Sequence, residues 1–180
     1  MNQICTSMGP RLIMAALSSG LILLTSGCSG GQQGRNYSIP STLCGIHFDA
    51  DKLAEFLPGG DGISTKQKSP DKGVKQCDVF VDGKLAATTT QAWWAEGTSL
   101  ADFTSGQTLK NIDHTASKGN YLYSGNEAFG KTADCAKPEE AGRLLFTAVQ
   151  VSESSHSDPE AMKIIISDYT SAVEESNACR

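Results

Sequence analysis

The chain has 180 residues, with 15 Lys or Arg against 20 Asp or Glu and a formal net charge of −5 at pH 7. An acidic, mixed-charge surface lacks the basic patch that a phosphate backbone requires, which excludes nucleic acid as a partner and disfavours adsorption onto anionic lipid heads. Taken in chain order, the first element is an apolar run, Leu12 to Leu24, broken only at Ser18, Ser19 and Gly20 and preceded by Arg11. At about 13 residues it falls short of the roughly 20 that a membrane-spanning helix needs. Its succession of weakly basic, apolar and small residues is that of a secretory leader.

The leader closes on Leu24-Thr25-Ser26-Gly27-Cys28. This pentad resembles the lipobox of bacterial lipoprotein signal peptides, although Thr25 stands where Leu is commoner. The resemblance implies cleavage before Cys28 and a diacylglycerol on its sulfur. The protein would then be held by lipid on the extracytoplasmic face of the cell membrane. Two acyl chains suffice for stable anchoring, at about 0.8 kcal/mol per buried methylene. An ordinary leader with an incidental cysteine is the competing interpretation. Residues 1–27 are thus expected to be removed. Residues 28–38 are expected to form a flexible tether, because SGGQQGRNYS cannot bury enough apolar surface to fold. Residues 39–180 are left as one domain, a usual size for a single core.

Within that domain, Asp49 is placed to cap a helix over 50–57 with Leu53, Phe56 and Leu57 on one face, ended by Pro58-Gly59-Gly60. Residues 63–68 read as a polar strand. Residues 76–81 alternate, with Cys77, Val79 and Val81 on one side. Asp82-Gly83 then predicts a two-residue hairpin into a long strand over 85–94. Residues 98–103 suggest one or two helical turns and 105–119 a polar loop. Residues 121–124 and 127–132 suggest a second hairpin, and 144–152 the most apolar strand. The last helix starts with Asp158 as N-cap, Pro159 at its first position and Glu160 at the positive end of the dipole. Met162, Ile165, Ile166, Tyr169 and Val173 share one of its faces. The expected class is α+β: an antiparallel sheet of about five to six strands with two helices packed on it.

Six cysteines divide into three kinds. Cys5 leaves with the leader and Cys28 is the candidate lipidation site. Cys44, Cys77, Cys135 and Cys179 form an even set in an exported domain and read as two disulfides. Three connectivities are possible. Cys44–Cys77 with Cys135–Cys179 is preferred because each pair encloses one local helix-and-strand unit, although spacing alone does not decide. The set contains no C-x-x-C and no histidine at ligand spacing, which points away from metal and redox roles.

No catalytic constellation stands out, and no cofactor is expected. His47, His114 and His156 are scattered. Ser155-His156 has no third orienting group in sequence reach, and G-x-S-x-G is missing. The carboxylates Asp49/Asp51, Asp78/Asp82, Glu139/Glu140 and Glu174/Glu175 could pair as acid and base, but scattered surface acids explain them equally well. Leu57 to Gly62 lacks the Lys-Ser/Thr of a phosphate loop and reads as a turn. The local oddity is Trp93-Trp94. Neighbours on a strand face opposite sides, so one indole is expected in the core and the other outward as a contact residue. Trp93 is the expected inward one, because it shares its face with Leu85 and Ala87. The alternative is a sheet covered on both faces.

Further stretches carry a resemblance. They are Ile39-Pro40-Ser41-Thr42-Leu43-Cys44, Asp82-Gly83-Lys84, Gln91-Ala92-Trp93-Trp94, and the run from Ala161-Met162-Lys163 to Ala178-Cys179-Arg180. With the lipobox, they resemble an uncharacterised family of actinobacterial, mostly streptomycete, lipoproteins. That resemblance implies a cell-surface location and assigns no functional residue. The expected function is a non-enzymatic domain that binds a small ligand or a protein of the cell envelope, and its membrane partner is reached through Cys28. An extracytoplasmic hydrolase acting on envelope material and a passive structural or accessory lipoprotein are the alternatives.

Overall fold

The computed structural model describes residues 34–47, 51–108, 111–152, 154 and 156–180. Cys28, the leader and Asp49 lie outside them. In chain order the elements are β1 (Thr42–Leu43), β2 (Ile46–His47), α1 (Asp51–Ala54), β3 (Ile63–Lys68), β4 (Val74–Val81), β5 (Lys84–Ala95), α2 (Leu100–Ser105), β6 (His114–Ala116), β7 (Tyr121–Tyr123), β8 (Glu127–Lys131), β9 (Arg143–Val151) and α3 (Pro159–Glu175). The fold is α+β. Its main sheet has seven antiparallel strands in the order β3-β4-β5-β9-β8-β7-β6, beside a two-stranded β1-β2 ribbon.

The sheet is wider than its sequence suggests, and the described residues form three α-helices rather than two. Residues 114–116 lie in the stretch read as loop, yet they pair with β7 as an edge strand. An edge strand with exposed His114 and Thr115 carries no apolar alternation. β1 and β2 have two residues each, too short for any periodicity. The first helix is a single turn. Hydrogen bonds from the N–H groups of Glu55, Phe56 and Leu57 to the carbonyls three residues back continue its winding to Leu57. Leu53, Phe56 and Leu57 are all buried.

Two meanders build the sheet, β3-β4-β5 and β6-β7-β8-β9, and they join where β9 pairs with β5 from Ala87↔Val151 to Ala95↔Arg143. Asp82 and Gly83 make the β4–β5 turn with φ of 48° and 77°. A two-residue hairpin of this hand needs positive φ at both places, which Gly adopts without strain and Asp tolerates. The register runs Val79↔Ala87 and then Phe80↔Leu85, so Ala86 is an extra residue, a bulge. The bulge breaks the alternation, and Leu85 is left 42% exposed.

Each face of the sheet is covered by a helix. α3 lies over Val79, Ala87, Trp93, Ala128, Leu145 and Val149 with Met162, Ile165, Ile166, Tyr169 and Val173, in the larger core. Asp158 caps it, accepting the Ala161 N–H at 3.0 Å. A close approach to β8 is possible because Gly130 has no side chain: a Cβ there would stand 2.5 Å from Thr170 Oγ1 and 2.7 Å from Thr147 Oγ1. On the opposite face α2 sets Leu100 and Phe103 against Ala92, Phe129, Phe146 and Ala148. α2 starts with a capping box in which Ser99 and Asp102 each bond the other's backbone N–H.

The folded domain begins earlier than residue 39. Arg35 pairs with Gly60 in a parallel bridge and donates to the Ala54 and Leu57 carbonyls, while Tyr37 donates to the Pro58 carbonyl. Residues 35–38, read as tether, therefore belong to the fold. The composition of the segment is polar, but Arg35 finds helix-end carbonyls that would otherwise face water.

Candidate functional site

The residues between β1–β2, the start of β4, the end of β5 and the C-terminal end of α3 form a groove of two adjoining clefts, about 210 Å³ and 340 Å³. Alternation decides its floor. Gln67, Lys75, Cys77, Gln91 and Trp93 all point to the α3 face, beside the C-terminal part of α3. Gln91 lines both clefts. Its amide donates to the Tyr169 hydroxyl at 3.2 Å, and burial pushes that hydroxyl's pKa above its ordinary value of 10.0. Trp93 is nearly buried, and the remainder of its indole lines the larger cleft.

Both disulfides frame the groove. Cys44–Cys77 fixes the β1–β2 turn over the smaller cleft. Cys135–Cys179 holds Ala178 and the Lys137 segment together at the larger one, and an Ala136 N–H to Cys179 carbonyl bond runs beside it. The rim is charged. Arg143 grips Glu140 at 2.6 Å and also donates to the Trp93 carbonyl, so that side is set in place. Lys72 and Lys75 line the groove without an ion-pair partner among the described residues.

Trp94 sits on the opposite face, half-buried, with its ring edge-on to Phe103 at 5.6 Å. Neither indole is therefore a free outward anchor. Trp93 closes the larger core and the groove floor, and α2 covers Trp94. Among the described residues, three of the paired carboxylates are engaged by other groups. Asp78 is buried and held by Lys68 at 2.7 Å and Thr88 at 2.9 Å. Asp82 accepts the N–H groups of Asp61 and Gly62, which fastens the Leu57–Gly62 turn. Glu174 accepts from Ala133 N–H. Of the histidines, His114 stacks on Tyr123 and His47 is exposed, whereas His156 lies close to Glu55 and Asp158. Gln91, Lys72 and Lys75 carry no local motif. Alternation with Cys77 and Trp93 marks Gln91 and Lys75 as groove residues, and Lys72 lies in the turn before β4.

The chemistry available is recognition: an aromatic face, an amide, the Lys72 and Lys75 ammonium groups beside the Asp71 carboxylate, and a rigid frame. The Ser176 hydroxyl is committed to the Val173 carbonyl and the Ala178 N–H. Among the described residues no histidine lines the groove. The arrangement defines a two-faced antiparallel α+β domain with a concave site at one end. Set against protein families, curated proteins and solved structures, the chain matches none.

Proposed function

We propose that the protein is a lipid-anchored extracytoplasmic lipoprotein, of the streptomycete type its motifs resemble, whose domain binds a small amphipathic ligand in the groove. The observation that supports this is the juxtaposition of Trp93, Gln91 and the unpaired Lys72 and Lys75 in one cleft framed by both disulfides. Binding clefts combine apolar walls with a few convergent polar groups. An acidic group on the ligand would pair with the two ammonium groups, while its apolar part covers the indole. Disulfides on both sides limit the ordering cost of binding.

The anchor is tested by intact mass of the mature protein and by Cys28→Ser. The expected result is a thioether lipid on Cys28 and release of the variant from membranes. An unmodified Cys28 overturns the anchor. The groove is tested by nuclear magnetic resonance with small-molecule fractions of envelope extract. Shifts at Gln91, Trp93 and Lys75 that disappear in Lys75→Glu support the reading, and shifts confined to other surfaces overturn it.

A further inference from the structure

We propose that Glu55, His156 and Asp158 form a binding site for a divalent transition-metal ion of the zinc type. The three come from distant segments: the turn after α1, the β9–α3 loop and the N-cap of α3. One ligand atom from each lies within 4.8 Å of the others. His156 Nε2 stands 3.8 Å from Glu55 Oε2, too far for a hydrogen bond.

His156 Nε2 is shielded from solvent and has no hydrogen-bond partner, although part of the ring remains exposed. Shielded polar atoms in folded proteins are nearly always satisfied, so this one requires an explanation. A metal ion is one, since a neutral imidazole offers that nitrogen's lone pair. The surroundings hold each donor in position. The Phe56 ring meets the imidazole edge-on at 4.8 Å. The backbone of His156 is gripped on both sides, its carbonyl by the Asn126 amide at 2.8 Å and its N–H by Ser154 Oγ at 3.1 Å. Asp158 spends Oδ1 on the Ala161 N–H and has a second oxygen to offer. Lys52 holds Glu55 Oε1 at 3.1 Å, which leaves Oε2 toward His156.

The donor set selects the metal. Imidazole with carboxylates suits zinc and its neighbours, whereas magnesium and calcium prefer all-oxygen shells. Two carboxylates neutralise a dication, and three protein ligands leave a fourth position for water or for a group on a partner. Tetrahedral zinc with ligands at 2.0–2.2 Å separates them by about 3.3 Å. The 3.8 Å gap closes by rotation of the Glu55 carboxylate, whose side chain is 42% exposed. A bound ion would staple α1 to the start of α3.

The test is calorimetric titration of the tag-free mature protein with Zn²⁺, alongside thermal melting. One ion per chain and a raised Tm are expected, with no competition from Mg²⁺ or Ca²⁺. Co²⁺ in place of zinc should show visible d–d bands of a low-symmetry site. Glu55→Gln and Asp158→Asn keep shape, and Asn keeps the N-cap. Each should weaken binding by about tenfold or more, since even groups that only support metal ligands cost that much. His156→Ala should abolish the saturable event. Lack of saturable binding, or binding unchanged in Glu55→Gln and His156→Ala, overturns the proposal.

Discussion

Trp93 and Trp94 are adjacent in sequence and lie in separate cores. Each should therefore be costly to remove. Trp93→Ala is expected to cost about 3–5 kcal/mol, as large-to-small core changes do. Trp94→Ala should also fall well outside the range of about ±0.5 kcal/mol of neutral surface changes, because it strips Phe103 of its edge-on partner. Denaturant melts decide it, and a neutral Trp94→Ala would mean that α2 does not cover that face. Tyr169 gives a pH prediction. Burial raises its pKa, so the folded protein keeps this proton at pH values where the unfolded chain has lost it. The stability it contributes is full below pH 10.0 and is lost as pH rises beyond that value. Tyr169→Phe should lose about 1 kcal/mol near neutrality with the Gln91 bond and decline less steeply above pH 10, measured by melts across pH. The inward turn of Trp93 was legible from strand alternation, but Leu85 was a poor guide to it. The bulge at Ala86 rotates Leu85 into solvent, and bulges have no simple signature in a run such as Leu85-Ala86-Ala87.

Helix α3 was legible because several local signals agree: Asp158 as cap, Pro159 at the first position and an apolar face repeated to Val173. α2 was nearly legible as one or two turns, but its capping box is less so, because Asp102 stands where the usual pattern has Glu or Gln. Ser99→Ala should cost about 1 kcal/mol, read by chemical denaturation, and should loosen the cover over Trp94. β1, β2 and β6 were illegible for a different reason. Two- or three-residue edge strands are fixed by their partners, not by their own pattern. The packing of α3 on β8 gives a sharper test. Gly130→Ala inserts a methyl group where two threonine hydroxyls stand, and overpacking of this kind costs about 1–3 kcal/mol. A neutral Gly130→Ala would show that α3 rides higher on the sheet.

At the scale of the molecule, the two disulfides span 33 and 44 residues. In the chain-entropy account, loops of that length contribute about 4 kcal/mol each. Reduction should therefore lower the melting temperature strongly, and non-reducing peptide maps should show only Cys44–Cys77 and Cys135–Cys179. A map with crossed pairs would contradict the structure. The α+β class was legible because hairpins and the last helix are local. The groove was only half legible, since Gln91 and Lys75 declare themselves only once the C-terminal part of α3 is placed beside them. The Glu55, His156 and Asp158 cluster was not legible at all. Its members are brought together by the return of α3 across α1, a contact far apart in sequence.

The grip on Arg35 has a consequence for where the domain can go. From Cys28 to Arg35 a fully extended chain reaches only about 25 Å, at about 3.5 Å per residue. In the anchored protein proposed above, the domain rides on a short mooring, within about its own diameter of the bilayer surface. In that proposed arrangement, whatever occupies the groove would come to the membrane, pass along it or be handed over there.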